Sequence, residues 1–468
     1  MNYELCINDK EFIKKHLKDD VNKLALSKFP EGVDKQFVIR QIQARQVLSK
    51  KLPSWAENDA LIFPKKLSLE QCSSELTAKY KALLLSTNPH ESPRMISDNS
   101  CILVDEKVST NQHESTRMIS ADSCELVDEK TILVDLTGGM GVDTAFLSDN
   151  FDKTFYVEMQ EELCEIAKHN FKVLNKNIEV VNDSAEHFLT ICDEVDCIYL
   201  DPARRDEYGR KMVSLHDCSP DVVELHDLLL EKAKRVLIKV SPMLDIEMVK
   251  KELKDISAIH VVAVRNECKE VLIEIQKLRN SETQKLGVWA TDLRENWNFT
   301  FFEEEELNAQ WTLADGIGKY LYEPGVACMK AGCFKLLSQC YALDKLHRNS
   351  HLYTSDELVS DFPGRIFEVI ETLPFDKKTK KEITSLLSQQ TTDNRQQTLS
   401  IVESKPTVNS QQPKAKSQQP AASVATRNFP LSADELKKNL GLQDGNESYV
   451  FGTTMKGEKK VVVLTKKI

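Results

Sequence analysis

The chain has 468 residues, of which 41% are hydrophobic and 29% charged, and its formal net charge is −11. This length allows roughly three or four domains with large cores, and the negative charge argues against a nucleic-acid-binding protein that is basic throughout. No segment reaches the roughly 20 apolar residues of a membrane helix, and the cysteines form no C-x-x-C pair or Cys/His cluster, so we expect a cytoplasmic protein without a metal site.

Residues 1–88 are predicted to form a helical N-terminal domain. The segments EFIKKHLKDDVNKLALSKF and KQFVIRQIQARQVLSKKL carry apolar residues at three- and four-residue spacing, which is typical of amphipathic helices. This end of the chain is mildly basic, because residues 1–90 hold 15 Lys/Arg against 11 Asp/Glu.

A duplicated segment follows at residues 89–130. HESPRMISDNSCILVDEK at 90–107 returns as HESTRMISADSCELVDEK at 113–130, with 14 of 18 positions identical. Two copies are fewer than a solenoid needs to bury a shared core. We predict a linker insertion that arose by tandem duplication, and a paired docking motif is the alternative.

Strands and helices alternate over residues 131–280. The apolar runs TILVDLT, TFYVEM, IEVVND, VDCIYLD and RVLIKVS are separated by helical stretches, which predicts a parallel sheet covered by helices. AIHVVAVRNECKEVLIEIQ instead holds two strands with only a few residues around Asn266 and Glu267 between them, too few for a crossover helix. The sequence therefore predicts a Rossmann-like α/β sheet of five parallel strands that ends in an antiparallel hairpin.

Three further segments follow. Residues 285–380 mix helical and strand patterns, and residues 385–425 are rich in Gln, Ser and Pro, which predicts a disordered tether. In residues 426–468 a helix is predicted to begin at Ser432, with Glu435 completing a capping box, and a strand pair follows. These segments predict small α/β modules on either side of a flexible connection.

The segment ILVDLTGGMGVD places a glycine-rich turn between an apolar strand and a helix. Gly139 and Gly141 allow the backbone to approach a ligand closely, at the N-terminal end of the helix. A turn of this kind is equally typical of a tight structural connection.

Acidic residues end four successive strands, namely Asp135, Glu158, Asp183 and Asp201. In an open α/β sheet, ligands bind beyond the carboxyl ends of the strands, so we expect these acids to line one crevice. Glu158 is suited to bind ribose hydroxyls, and Asp183 is suited to bind an adenine amino group. Any one of these acids alone is more typical of a solvated strand end or a helix cap than of a binding site.

The turn from Asp135 to Gly141 resembles the D-x-G-x-G-x-G motif of class I S-adenosylmethionine-dependent methyltransferases, with Thr137 at the first glycine and an additional Gly138. More narrowly, the segments EQCSSELTAKYKA, DLTGGMGVD, LDPARR, NECKE, NSHLYTSDEL and RNFPLS resemble bacterial methyltransferases with a C-terminal THUMP-like domain. The resemblance implies a methyltransferase domain at 131–280, a ferredoxin-like region at 285–380, a THUMP-like module at 426–468 and RNA as a partner. It also implies that S-adenosylmethionine is held by Asp135, Thr137, Gly138, Gly139, Gly141, Glu158, Asp183 and Asp201.

The segment LDPARR follows the fourth parallel strand. In amino-methylating relatives this strand ends in [DN]-P-P-[YF], whose acid accepts a hydrogen bond from the target amine. Asp201 and Pro202 keep the first two positions and Arg204 replaces the aromatic residue, so these three are the predicted catalytic residues. Arg204 and Arg205 are predicted to bind the substrate by stacking on a base or gripping a phosphate. Ion pairs with the two acidic residues that follow them are the alternative.

The predicted activity is methylation of a base in tRNA or rRNA. Carbon-5 pyrimidine methylation would need a cysteine nucleophile, for which Cys218 is the candidate. Ser219 as N-cap and Pro220 as the first helical residue favour a plain helix start at that position. The alternatives for the whole protein are methylation of a protein or a small molecule, and RNA binding by a catalytically inactive fold.

Overall fold

The computed structural model describes residues 5–86, 130–204, 214–277, 285–389 and 420–468. It divides into two compact units, the first made of Met1–Leu286 and Leu293–Trp297, and the second made of Gly287–Asp292 and Asn298–Ile468. Three features of the sequence lie wholly or mainly outside the described residues: Arg205, the duplicated segment and most of the predicted tether.

Six helices precede the sheet of the first unit. They are α1 (Ile7–His16), α2 (Val21–Ala25), α3 (Lys35–Leu48), α4 (Pro53–Ala56), α5 (Lys66–Gln71) and α6 (Glu75–Leu84). In α3, Val38, Ile42 and Leu48 follow the helical spacing of the sequence and are fully buried. The described part of this segment is therefore helical, as predicted.

The first unit contains β1 (Ile132–Asp135), β2 (Lys153–Glu158), β3 (Ile178–Asn182), β4 (Val195–Leu200), β5 (Ala203–Arg204), β6 (Cys218–Ser219), β7 (Ala233–Val240), β8 (Ile256–Val264) and β9 (Glu267–Ile275). Within this unit the sheet order is β8-β9-β7-β4-β1-β2-β3. The five strands β7, β4, β1, β2 and β3 are parallel, β9 is antiparallel to β7, and β8 is antiparallel to β9. This confirms the predicted sheet of five parallel strands with an antiparallel hairpin.

The hairpin turn between β8 and β9 is short. Arg265 and Asn266 lie between the two strands with φ angles of 54° and 57°. Positive φ at both central residues is the geometry of a two-residue type I′ turn, which matches the right-handed twist of the flanking strands.

The strands of this sheet are connected by α7 (Val142–Leu147), α8 (Glu161–Val173), α9 (Ala185–Ile191), α10 (Val222–Lys232) and α11 (Ile246–Glu252). Two apolar clusters contain residues from both the N-terminal helices and the sheet layer. Trp55 packs in one cluster with Phe171, and Tyr80 packs in the other with Leu133 and Leu237. The N-terminal helices therefore share the core of the sheet.

Helix α10 begins later in the chain than the sequence suggested. Ser219 lies in β6, and the first residue of α10 is Val222. The N-cap is Asp221, whose Oδ1 accepts hydrogen bonds from the N–H groups of the second and third helical residues at 3.0 and 3.1 Å. Because this carboxylate satisfies the free N–H groups of the first turn, the prediction of Ser219 as N-cap and Pro220 as first helical residue is wrong.

The remaining strands are β10 (Gly287–Asp292), β11 (Trp297–Phe302), β12 (Tyr320–Pro324), β13 (Asp344–Lys345), β14 (Tyr353–Ser355), β15 (Gly364–Pro374), β16 (Ser423–Arg427), β17 (Ser448–Met455) and β18 (Lys459–Lys467). The remaining helices are α12 (Glu303–Asn308), α13 (Val326–Ala331), α14 (Phe334–Cys340), α15 (379–389) and α16 (Ala433–Leu440). The sheet of the second unit has the order β13-β14-β12-β15-β18-β17-β16. Strand β15 pairs antiparallel with both β12 and β18, so the two predicted C-terminal modules contribute strands to one sheet.

Helix α16 begins at the predicted capping box. The N–H of Glu435 donates to Ser432 Oγ at 3.3 Å, and the N–H of Ser432 donates to Glu435 Oε2 at 2.8 Å. Ordered structure also reaches into both ends of the range predicted as a tether, because α15 extends to residue 389 and β16 begins at Ser423.

No helix in the described parts of the chain is long and apolar enough to cross a membrane. In the same parts of the chain, no group of three or more His, Cys, Asp or Glu side chains is arranged to hold a metal ion.

Candidate cofactor and substrate site

The glycine-rich turn connects β1 to α7 at the carboxyl edge of the first sheet. Gly139 and Gly141 have φ angles of 54° and 78°, a region that glycine adopts without strain. A Cβ on Gly138 would lie 2.2 Å from the ring of Tyr156, and a Cβ on Gly141 would lie 2.8 Å from the ring of Phe171. The turn therefore requires glycine at these three positions. At Gly138 and Gly141 the reason is that an aromatic ring packs directly against the backbone.

Glu158 ends β2 and binds the turn directly. Its Oε2 accepts a hydrogen bond from the N–H of Gly139 at 3.0 Å, and its Oε1 accepts one from the N–H of Gln160 at 2.9 Å. An ionised carboxylate has about four acceptor positions, so each oxygen retains one for a ligand. The carboxylate is half-buried and held by these two backbone N–H groups; its predicted role in binding ribose hydroxyls stays a prediction.

Asp135 ends β1 and lies beneath the turn, with 1% of its surface exposed. It accepts hydrogen bonds from the N–H of Thr137 at 3.0 Å and from Thr144 Oγ1 at 2.5 Å. Burial raises the pKa of Asp135 from 3.8 to about 7, although these two hydrogen bonds lower it. The negative charges of Asp143 and Asp201 add to the increase.

Asp201 follows β4 and is joined to the same turn. Its N–H donates to Thr137 Oγ1 at 2.6 Å, so Thr137 contacts both Asp135 and Asp201. Its carboxylate Oδ2 forms an ion pair with Lys239 Nζ. The structure therefore brings Asp135, Thr137, Gly139, Glu158 and Asp201 together around one turn.

Asp183, the fourth acid, follows β3 beside Glu158. Its N–H donates to the Glu158 carbonyl at 3.2 Å. Its carboxylate instead contacts its own helix, accepting from the N–H of Ser184 at 2.8 Å and lying 2.6 Å from Nδ1 of His187. The contact with His187 holds the pKa of Asp183 below its ordinary value. Asp183 therefore lies next to the crevice, but its side chain is not hydrogen-bonded to the turn.

The residues after Asp201 are placed only in part. Pro202 is buried, and the backbone of Arg204 pairs with Cys218 in the short β5–β6 ladder. The Arg204 side chain and all of Arg205 lie outside the described residues, so their roles stay predictions. Cys218 is buried, with 1% of its surface exposed.

A buried group of charges behind Asp201 was not predicted from the sequence. Lys81 of α6 is fully buried and donates to both carboxylate oxygens of Glu270 in β9, at 2.8 and 2.9 Å. Lys81 Nζ also lies 3.3 Å from Oδ1 of Asp143, whose Oδ2 accepts hydrogen bonds from Ser73 and Tyr199, each at 2.7 Å. Burial by itself raises the pKa of Asp143, but the adjacent cations and these hydrogen bonds bring it below its ordinary value.

Only weak sequence signals pointed to this buried group. Lys81 lies on the same helical face as Ala78 and Leu84, where the spacing calls for an apolar residue. Lys239 interrupts the apolar run VLIKV, and Glu270 directly precedes a similar run in β9. All three are charged residues at positions where the pattern favours an apolar one, and this is a local signal. Their pairing joins distant parts of the chain, so it could not be predicted from the local sequence.

One solved structure is similar to this protein over nearly the whole chain. The chain is 30% identical to a candidate methyltransferase of Porphyromonas gingivalis W83, whose crystal structure matches with a TM-score of 0.72 over 98% of this chain and 97% of that one. An rRNA methylase from Streptococcus thermophilus is 20% identical, with a TM-score of 0.25, over 33% of this chain and 92% of that one. A candidate methyltransferase of Streptococcus mutans, in complex with SAH, is 19% identical, with a TM-score of 0.25, over 32% of this chain and 90% of that one.

Two family descriptions match the second unit. Residues 320–363 match a ferredoxin-like domain, and residues 400–467 match a THUMP-like domain. No curated protein sequence matches the chain. On the strength of 30% identity to the Porphyromonas protein over nearly the whole of both chains, this protein belongs to the class I S-adenosylmethionine-dependent methyltransferases with a C-terminal THUMP-like domain.

Proposed function

We propose that this protein transfers a methyl group from S-adenosylmethionine to a base in tRNA or rRNA. The observation that carries the proposal is the convergence of Asp135, Glu158 and Asp201 on one glycine-rich turn. This turn lies at the carboxyl edge of an open parallel sheet, which is where such sheets bind their ligands.

The residues of the turn are suited to S-adenosylmethionine. Among the described residues, a Cβ built on Gly139 would meet only the Thr137 carbonyl oxygen, at 3.7 Å, so this part of the structure leaves the backbone open to a ligand on that side. Glu158 would accept hydrogen bonds from the ribose hydroxyls with its two remaining acceptor positions, and Asp183 would accept one from the adenine amino group. When bound, the cofactor supplies a methyl group already activated on a sulfonium ion.

The protein itself then has to align the acceptor atom and exclude water. Asp201 is fixed through its backbone N–H and through Oδ2, and it is the charged group at the end of β4 that a substrate can reach. We propose that it accepts a hydrogen bond from the group being methylated, next to the buried Pro202. Arg204 and Arg205 are proposed to hold a base or a phosphate.

RNA is the proposed substrate because of the THUMP-like match and the lysines of the last strand pair. Lys456 forms an ion pair with Asp315 at 2.7 Å, so it is already neutralised within the second unit. Lys459, Lys460 and Lys467 are exposed, and none of the three forms a salt bridge with a described residue. These three lysines are therefore available to contact phosphates.

Incubation with S-adenosylmethionine labelled in its methyl group, together with separate RNA, protein and metabolite fractions, tests the activity and the substrate class. We expect label in the RNA fraction, and a 10²–10⁴-fold lower rate for Asp201→Ala, as for loss of a positioned catalytic group. Glu194→Ala is the matched control, because Glu194 is an exposed acid just before the other end of β4. Label in the protein or metabolite fraction alone would replace RNA by that substrate class.

A second experiment tests the RNA surface. The pair Lys459→Glu and Lys460→Glu should weaken RNA binding, and the slope of log affinity against log salt should fall by roughly 0.7–0.9 for each phosphate that the protein no longer neutralises. Deleting the whole module is not a clean alternative, because β18 pairs with β15 along its length. Lys377→Glu with Lys378→Glu changes the charge of the same unit equally and serves as the control. Equal losses in both double variants would show that net charge, and not this strand pair, governs RNA binding.

A further inference from the structure

The carboxylate of Asp201 is oriented by a lysine from the neighbouring strand. In the register of β4 and β7, Leu200 is opposite Ile238, so Lys239 stands beside Asp201 at the carboxyl edge of the sheet. The Lys239 side chain is 13% exposed, and its ammonium pairs with Oδ2 of Asp201. The contact fixes one oxygen of the proposed catalytic carboxylate.

Lys239 is held as a permanent cation by the charges that surround it. Burial by itself lowers the pKa of Lys239, but the negative charges of Asp201, Asp143 and Glu270 raise it above its ordinary value. At neutral pH the ammonium is therefore a hydrogen-bond donor and cannot act as a base.

The other oxygen of Asp201 is left for a ligand. The backbone N–H of Asp201 is bonded to Thr137 Oγ1 at 2.6 Å, and Oδ2 is occupied by Lys239. Within the parts of the chain that the structure describes, Oδ1 accepts no hydrogen bond. The Asp201 side chain is 36% exposed, so a ligand can reach this carboxylate.

We propose, resting on the methyl-transfer function above, that Lys239 is a positioning residue that holds the Asp201 carboxylate through Oδ2, so that Oδ1 can accept a hydrogen bond from an N–H of the methyl acceptor. An ionised carboxylate only accepts hydrogen bonds, so this arrangement selects an acceptor nitrogen that carries hydrogen, such as an exocyclic amine. In the transfer, the nitrogen lone pair forms the bond to the methyl carbon, the electrons of the broken S–C bond stay on sulfur, and one proton leaves the nitrogen for solvent.

The test compares Lys239→Met with Lys239→Arg in the full-length protein. We expect Lys239→Met to lower kcat about 10–100-fold while the Kd for S-adenosylmethionine stays within about twofold, because Lys239 pairs with the carboxylate of Asp201. Lys239→Arg, which keeps the charge and the donor, should restore most of the lost kcat. The matched control is Lys234→Met, since Lys234 pairs with Asp196 across the same two strands at their other end, at 2.8 Å.

A double-variant cycle decides whether Lys239 acts through Asp201. In the Asp201→Ala background, Lys239→Met should have almost no further effect on kcat. A full additional loss in that background, or wild-type kcat in Lys239→Met, would refute the proposal. Should Lys239→Met fail to fold, Lys239→Gln gives the same comparison with a neutral donor. If the wild type transfers no methyl group at all, the proposed function fails instead.

Discussion

The unusual protonation of Asp135 predicts how stability depends on pH. The pKa of this buried carboxyl is about 7 in the folded protein, against an ordinary value of 3.8. Between those values the folded protein binds a proton that the unfolded chain releases. The contribution to stability is therefore fully present below about pH 4, and it is lost as the pH rises through about 7. A difference of roughly three pKa units, at 1.36 kcal/mol each, changes the free energy of unfolding by roughly 4 kcal/mol.

Asp135→Asn removes this dependence, because the amide stays neutral while its oxygen still accepts from the N–H of Thr137. Urea unfolding of both proteins from pH 4.5 to 8 gives the difference, with the transitions of the two units fitted separately. The variant should gain stability relative to the wild type as the pH rises. Asp152→Asn is the control, since hydrogen bonds from Thr131 hold the pKa of exposed Asp152 below its ordinary value, outside this window. A constant difference between wild type and Asp135→Asn across the range would refute the reasoning.

Two further predictions concern packing around the site. Gly138→Ala places a Cβ 2.2 Å from the ring of Tyr156 and should cost about 1–3 kcal/mol of stability, measured by thermal unfolding. Gly316→Ala is the control and should cost little, because its Cβ would have no described atom within 4 Å. Lys81→Met leaves the buried Glu270 without its cation and should cost about 3–5 kcal/mol. Adding Glu270→Leu should recover most of that loss in urea unfolding, and equal stability of the single and double variants would contradict an uncompensated charge.

Local patterns were sufficient to predict the sheet. Alternating apolar runs and helical stretches identified its five parallel strands, and the short separation around Asn266 and Glu267, too short for a crossover helix, identified the hairpin. In both cases the signal lies within a few consecutive residues. The predicted start of α10 was wrong because the Asp221 carboxylate, two residues after Ser219, accepts the hydrogen bonds of the first turn.

The site was predictable where it follows from strand ends, and not where it depends on long-range pairing. Glu158 and Asp201 were expected at the turn because parallel strands end at one edge of a sheet. Lys81 and Glu270 are 189 residues apart in the chain, so no local pattern could pair them. Lys239 illustrates the same limit, since only the alignment of β4 and β7 places it beside Asp201.

The central claim, that the glycine-rich turn and Glu158 hold S-adenosylmethionine, is tested most directly by calorimetric titration of the wild type and Glu158→Ala with that cofactor. We expect the wild type to bind S-adenosylmethionine more tightly than NAD. Glu158→Ala should lose one or more charge-assisted hydrogen bonds to the cofactor, which corresponds to roughly 1.5–3 kcal/mol of binding free energy. The control, Glu161→Ala in the exposed first turn of α8, should bind the cofactor like the wild type. Unchanged affinity in a folded Glu158→Ala protein, or tighter binding of NAD by the wild type, would contradict the account.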